Sequence, residues 1–136
     1  MDLTLIDSGP LVALIDSNDN HHERAKALLL DELRGWTTTT ACMTEAFYFL
    51  GRSSGYAGQA ALWRLINLKV VLVAALADSD LESSESYMER FRDVPCDFAD
   101  ASLLALAERT GARRVITLDR HFYAYRIGDE FLDVSP

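Results

Sequence analysis

Hydrophobic positions along this chain fall into two alternating patterns: short aliphatic or β-branched runs, and longer stretches in which apolar residues recur every three or four positions. Strands interleaved with helices are the expected result. Leu3-Thr4-Leu5-Ile6 is the first run, and Asp7-Ser8-Gly9-Pro10 ends it with a turn and helix-start signal. A short helix over Leu11 to Ile15 follows. Asn18-Asp19-Asn20 supplies capping groups for a helix from about His21 to Leu33, with Ala25, Leu28 and Leu29 on one face. Trp36-Thr37-Thr38 after Gly35 reads as a strand, then Ala41 to Leu50 and Ala57 to Leu68 as a helical pair broken by the segment Gly51 to Gly58. Val70-Val71-Leu72-Val73 is a buried strand and Ser79 to Phe91 an amphipathic helix. Phe98 to Glu108 is a helix with Gly111 as its C-terminal cap. Val115-Ile116-Thr117-Leu118 is the next strand, and Phe131-Leu132-Asp133-Val134 a short last one.

Such alternation predicts one α/β domain over residues 1–136 with a mainly parallel sheet. No repeat, low-complexity stretch or Pro/Gly/Ser-rich linker divides it. The longest apolar run, Val70 to Ala77, is far short of the roughly 20 residues a membrane helix needs. The start Met1-Asp2-Leu3-Thr4 has no basic and apolar secretory signature. Cys42 and Cys96, far apart and outside any C-x-x-C spacing, read as buried thiols in a reducing compartment. A cytoplasmic location and no membrane partner are expected. The net charge of −8 repels polyphosphate at long range, which argues against a nonspecific nucleic-acid binder. Divalent cations held by converging carboxylates would reverse that potential locally. The placement of single acids therefore matters more than their sum.

Four acids stand where an acid needs a reason. Asp7 follows the first strand, at the sheet edge where open α/β sheets bind ligands; its alternative reading is a helix cap. Asp119 repeats the arrangement in Thr117-Leu118-Asp119-Arg120, with the same alternative for a short helix through His121-Phe122-Tyr123. Glu45 shares a helix face with Cys42, Phe49, Ala41 and Tyr48, so it interrupts a largely apolar stripe unless the helix turns it to solvent. Asp100 sits on the stripe of Leu103, Leu104 and Ala107. Asp97, one turn earlier, reads as an N-cap or dipole partner as readily as a ligand. Converging carboxylates repel one another strongly at low dielectric, and the chain has only two lysines, Lys26 and Lys69, to offset them. Mg²⁺ or Mn²⁺, which prefer carboxylate oxygen, would resolve the conflict and support phosphodiester cleavage by an activated water.

The segments Leu5-Ile6-Asp7-Ser8, Thr44-Glu45, Asp97-Phe98-Ala99-Asp100-Ala101-Ser102-Leu103 and Val115-Ile116-Thr117-Leu118-Asp119-Arg120-His121-Phe122, in that order and spacing, resemble the motifs of a PIN domain, and within that group those of the VapC toxins. The resemblance implies a Rossmann-like three-layer α/β/α sandwich. It implies Asp7, Glu45, Asp100 and Asp119 as an acidic quartet holding Mg²⁺ or Mn²⁺, with Asp97 an accessory acid and Ser8 and Thr117 as hydrogen-bonding neighbours. Proteins of this kind are endoribonucleases that cut structured RNA such as a transfer or ribosomal RNA loop. They form homodimers, and a VapB-type antitoxin whose C-terminal segment covers the active-site groove holds them inactive.

Arg52, Arg120, Arg113 and Arg114 are candidate backbone contacts for that RNA. Tyr48, Phe49 and Phe47 read as core or interface, with base stacking as the alternative. His121 reads as structural, and His21-His22 as solvated at a helix start. A phosphoacceptor receiver domain also places acids at strand ends, but neither lysine lies near the late strand where such a domain needs one. A noncatalytic PIN-like module binding RNA or protein is the remaining alternative; loss of a quartet acid would favour it, and none is lost.

Overall fold

Strand β1 (Thr4–Ile6) is buried at every position, and so is β2 (Trp36–Thr39). That is the condition of strands covered by helices on both faces. The structure is a computed structural model that describes residues 3–31 and 35–135. Between those strands lie α1 (Ser8–Ile15) and α2 (His22–Asp31); the Leu33 end expected for the second helix lies outside the described residues. Helix α3 (Thr40–Asn67) follows, then β3 (Val71–Ala74), α4 (Asp78–Arg90), α5 (Phe98–Thr110) and β4 (Arg114–Ile116). A 3-10 turn over Arg120–Tyr123 leads to β5 (Arg126–Ile127), β6 (Glu130–Phe131) and β7 (Asp133–Ser135).

Five strands form a parallel sheet in the order β3-β2-β1-β4-β7. Side chains alternate across a strand, and here that alternation divides the core in two. Leu5 and Val115 point into a cluster with Leu103, Leu104 and Tyr87 of α5 and α4. Their neighbours Ile6 and Ile116 point the other way, to Leu11, Ala46, Leu50 and Leu62 of α1 and α3. The result is the expected three-layer α/β/α arrangement.

Two expectations change in detail. The break between the helical pair is narrower than the Gly51–Gly58 segment: helical geometry persists except at Gly55, whose φ of 63° and ψ of −156° suit glycine alone. The last run is not one strand. Leu132 is the joint between β6, which pairs antiparallel with β5, and β7, which pairs parallel with β4. Other elements hold close to their expected limits, and Gly111 caps α5 in the left-handed conformation at φ 81°.

Helices α4 and α5 are fastened by an ion pair between a buried carboxylate and a partly exposed guanidinium. The carboxylate of Asp80, 2% exposed, accepts from Arg109 Nε and Nη2 at 3.0 Å each. It also accepts the Ala77 N–H at 2.9 Å, closing the start of α4. The Arg109 guanidinium holds this carboxyl below its ordinary 3.8. A depressed carboxyl stabilises the fold above its unfolded pKa and loses that contribution as pH falls through the folded value. Asp80→Ala should lower the unfolding free energy by about 2 kcal/mol at neutral pH, since a charged hydrogen-bond set and a helix cap are lost together. Urea titrations should show the difference shrinking well below pH 3.8; a pH-independent difference would mean that charge is not its source.

Candidate functional site

From β1 the chain builds the sheet outward through β2 and β3, then returns to β4 on the other side of β1. The carboxyl ends of β1 and β4 therefore flank the point where strand order reverses, the place where open α/β sheets form a ligand crevice. Asp7 is the first residue beyond β1. Its N–H continues the ladder to the Ile116 carbonyl at 3.0 Å. Its side chain caps α1, with Oδ1 accepting the Ser8 N–H at 2.8 Å, and Oδ2 accepts the Thr117 hydroxyl at 2.9 Å. The capping reading and the site reading of Asp7 thus describe one side chain. Only 6% exposed, its carboxyl is pushed up to about 6, first by burial and then by the charges of Glu45 and Asp119, against the Ser8 and Thr117 hydrogen bonds.

Glu45 reaches this crevice from α3, where its Oε1 accepts the Ser8 hydroxyl at 2.5 Å. Ser8 thereby links two acids: its amide holds Asp7 and its hydroxyl holds Glu45. Thr117 does the same on the other side. Its hydroxyl donates to Asp7 and accepts the Asp119 N–H at 3.0 Å. Asp119 lies three residues beyond the end of β4, caps the 3-10 turn through the His121 N–H at 2.9 Å, and pairs with His121 Nδ1 at 3.0 Å.

Asp100 enters from the start of α5. Asp97 caps that helix: its Oδ1 accepts the Asp100 N–H at 2.8 Å, while Asp100 Oδ2 accepts the Asp97 N–H at 3.3 Å, a reciprocal capping box. The Asp97 cap reading is what the geometry shows, and its charge still bears on Asp100. The buried Asp100 carboxyl is pushed up to about 8, by burial first and then by the charges of Asp97, Asp7 and Asp119. Tyr125 completes its surroundings. This fully buried phenol donates to the Pro95 carbonyl at 2.5 Å and to Asp100 Oδ2 at 3.3 Å. With one hydrogen it serves Pro95 at the shorter distance and leaves Asp100 the weaker share. Beneath, the Cys42 thiol contacts Asp7 Oδ1 at 3.7 Å and the Ala99 carbonyl at 3.5 Å; burial and the Asp7 charge push its pKa far up, so it stays a neutral thiol.

The structure thus brings Asp7, Glu45, Asp100 and Asp119 from four elements within electrostatic reach of one another, with Asp97 beside them. Among the described residues no lysine or arginine forms an ion pair with Asp7, Glu45 or Asp100. As they stand, no three described acidic, histidine or cysteine side chains close tightly enough to surround one ion. The donor set itself, all hard carboxylate oxygen, fits Mg²⁺ or Mn²⁺.

Other candidates separate by position. Arg52 on α3 and Arg120 beside Asp119 are exposed on the crevice side. Arg113 and Arg114 stand at the opposite end of β4, and Arg113 is spent on the Ala107 and Ala112 carbonyls and Glu130. The far end of the strand removes both as contacts for a ligand in this crevice. His22 is half-buried with Nδ1 on the Ala13 carbonyl, not solvated. Tyr48 and Phe49, expected in core or interface, are 57% and 48% exposed because α3 turns that face outward beyond Glu45. Tyr125 was not legible as a neighbour of the acids, because nothing in its local sequence separates it from an ordinary core residue; Cys42, placed on the Glu45 face by its spacing, lies against Asp7 as well.

A carboxyl whose folded pKa is raised makes the native state bind protons more tightly, so stability falls as pH rises from the unfolded value toward the folded one. Metal-free protein should lose stability between about pH 3.8 and about 8. Near the upper limit Asp100→Asn should melt on the order of 5 °C above the parent, and the two should converge near pH 3.8. Calorimetric scans across that range check this; a variant less stable throughout would contradict it.

Comparison with known proteins agrees with this architecture. The PIN domain family model matches residues 4–128. Ribonuclease VapC26 of Mycobacterium tuberculosis is 25% identical over 134 residues, a span covering 97% of this chain and 99% of that protein. The crystal structure of VapC20 from Mycobacterium tuberculosis, a sarcin-ricin loop cleaving toxin, superposes with a TM-score of 0.83 at 23% identity, over 98% of this chain and 99% of that one. A toxin-antitoxin complex from Klebsiella pneumoniae matches at TM-score 0.68 and 17% identity, over 98% and 96% of the two chains. With the model spanning nearly the whole sheet and both helical layers, this chain belongs to the PIN-domain family.

Proposed function

We propose that this chain is a single-domain, divalent-metal-dependent endoribonuclease, the toxin of a VapBC-type toxin-antitoxin pair acting in the cytoplasm. The observation that carries the reading is the convergence of buried Asp7 and Asp100 with half-buried Glu45 and Asp119 at the sheet's reversal point. There, neighbouring acid charges add to burial in raising Asp7 and Asp100, and among the described residues no lysine or arginine pairs with Asp7, Glu45 or Asp100. Asp7, Glu45, Asp100 and Asp119 are the residues that would hold Mg²⁺ or Mn²⁺, with Asp97 as accessory acid. Bound there, such an ion supplies Lewis acidity toward a phosphodiester and lowers the pKa of an attacking water.

The chain's own groups prepare that chemistry. Ser8 and Thr117 fix the oxygens of Asp7, so its carboxylate is oriented before any ligand arrives. Ser8 also restrains Glu45, and Tyr125 and the Asp97 N–H restrain Asp100. The named relatives, a ribonuclease, a toxin that cleaves the sarcin-ricin loop and a toxin held in a complex with its antitoxin, support RNA as substrate, with a transfer or ribosomal RNA loop as the natural target. They also support an antitoxin as partner. A homodimer is part of the same proposal.

The alternative of a noncatalytic PIN-like binding module predicts RNA or protein binding without cleavage. Single-stranded RNA incubated with the protein should be cut in Mn²⁺ or Mg²⁺ and left intact in EDTA. Asp7→Asn should lose at least about 100-fold in rate, and Thr117→Val about 10-fold through the misoriented Asp7. Cleavage that survives both EDTA and Asp7→Asn would refute the assignment, and binding without cleavage would favour the module.

A further inference from the structure

Along α3, Tyr48, Phe49 and Arg52 follow Glu45 at spacings of three, four and seven, so all four share one helix face. That face is open to solvent at Tyr48, Phe49 and Arg52. It forms one wall of a groove of about 420 Å³ whose lining includes Phe49, Arg52, Ser8, Leu118, Asp16 and Asp19. Ser8 adjoins Asp7 and holds Glu45, and Leu118 adjoins Asp119. The groove therefore adjoins the acidic crevice through Ser8 and Leu118.

We propose that this groove binds one unpaired nucleotide of the RNA substrate next to the cleaved bond, its base stacked on Phe49 and its phosphate against Arg52. The inference rests on the ribonuclease reading. An exposed aromatic face beside a cation is what single-stranded nucleic acid uses for sequence-tolerant binding. The Arg52 guanidinium is held in place by the Tyr48 hydroxyl at 3.1 Å and lies 5.8 Å from that ring's centre. Among the described residues it forms no ion pair, so its charge is available to a phosphate in an otherwise acidic molecule. Asp16 and Asp19 repel phosphate from the opposite wall. Each already accepts a backbone N–H, from Asn18 and His21 respectively, and each keeps further lone pairs for a base's amino group. Charge complementarity thus orients the occupant: backbone toward Arg52, base toward the acids.

The test measures fluorescence anisotropy of a short labelled single-stranded RNA of random sequence binding to Asp7→Asn protein, whose cleavage is slowed enough for binding to be read. Adding Phe49→Ala should weaken binding about fivefold or more, and Phe49→Trp should preserve it. Adding Arg52→Ala should flatten the slope of log affinity against log salt by about 0.7. Both residues are exposed, so neither change endangers the fold. Wild-type cleavage is assayed in parallel. If wild-type protein cuts RNA while both groove variants bind like their parent, this proposal falls alone, and the groove is left to a protein segment. If wild-type protein neither cuts nor binds RNA, the ribonuclease reading falls and takes the groove assignment with it.

Discussion

Everything at the carboxyl edge of this sheet depends on one costly placement, the Asp7 carboxylate buried between β1 and β4. A buried carboxylate is tolerated only when its oxygens are satisfied. Here the Ser8 amide and the Thr117 hydroxyl satisfy one oxygen each. The register of β1 on β4, with Leu5 opposite Val115 and Ile6 opposite Ile116, carries Thr117 to the place where it can do so. The strand pairing, the cap of α1 and the orientation of the acid are thus one constraint seen from three sides. A slip of one residue in that register would turn Thr117 away and leave the buried Asp7 carboxylate with only the Ser8 amide and the weak Cys42 thiol contact.

From that anchor the remaining acids are arranged through hydroxyl groups and helix starts. Ser8 binds Glu45, Thr117 binds the Asp119 amide, and the α5 capping box holds Asp100. Each local device is an ordinary helix or turn signal, yet together they gather like charges. These charges add to burial, the larger cause, in raising the pKa values of Asp7 and Asp100. On the proposed reading, cations bound at these acids would offset the repulsion of RNA by a molecule of net charge −8.

Much of this was legible from the chain. The strand-then-acid pattern at Ile6-Asp7, and again before Asp119, fixed which sheet edge mattered, and the four motifs in order pointed to the fold. What stayed hidden has a physical reason in each case. Tyr125 reaches Asp100 across 25 residues of chain, and no periodicity encodes that contact. Of the readings open for Tyr48 and Phe49, the core reading fails at 57% and 48% exposure: they follow the spacing of a buried stripe, but the helix runs past the edge of the core, which spacing does not reveal. Arg113 and Arg114 looked available by charge, but their place at the start of β4 puts them at the wrong end of a strand. The split of the last run at Leu132 reflects two different pairing partners, a tertiary fact.

The central claim is that these carboxylates share a divalent cation. Crystals grown with Mn²⁺ and measured for anomalous scattering test it most directly. The account predicts a strong anomalous peak in the crevice within bonding distance of Asp7 and at least one other of Glu45, Asp100 and Asp119. A well-ordered crystal at saturating Mn²⁺ with no peak there, or with Asp7 still bound only to Ser8 and Thr117, would contradict it.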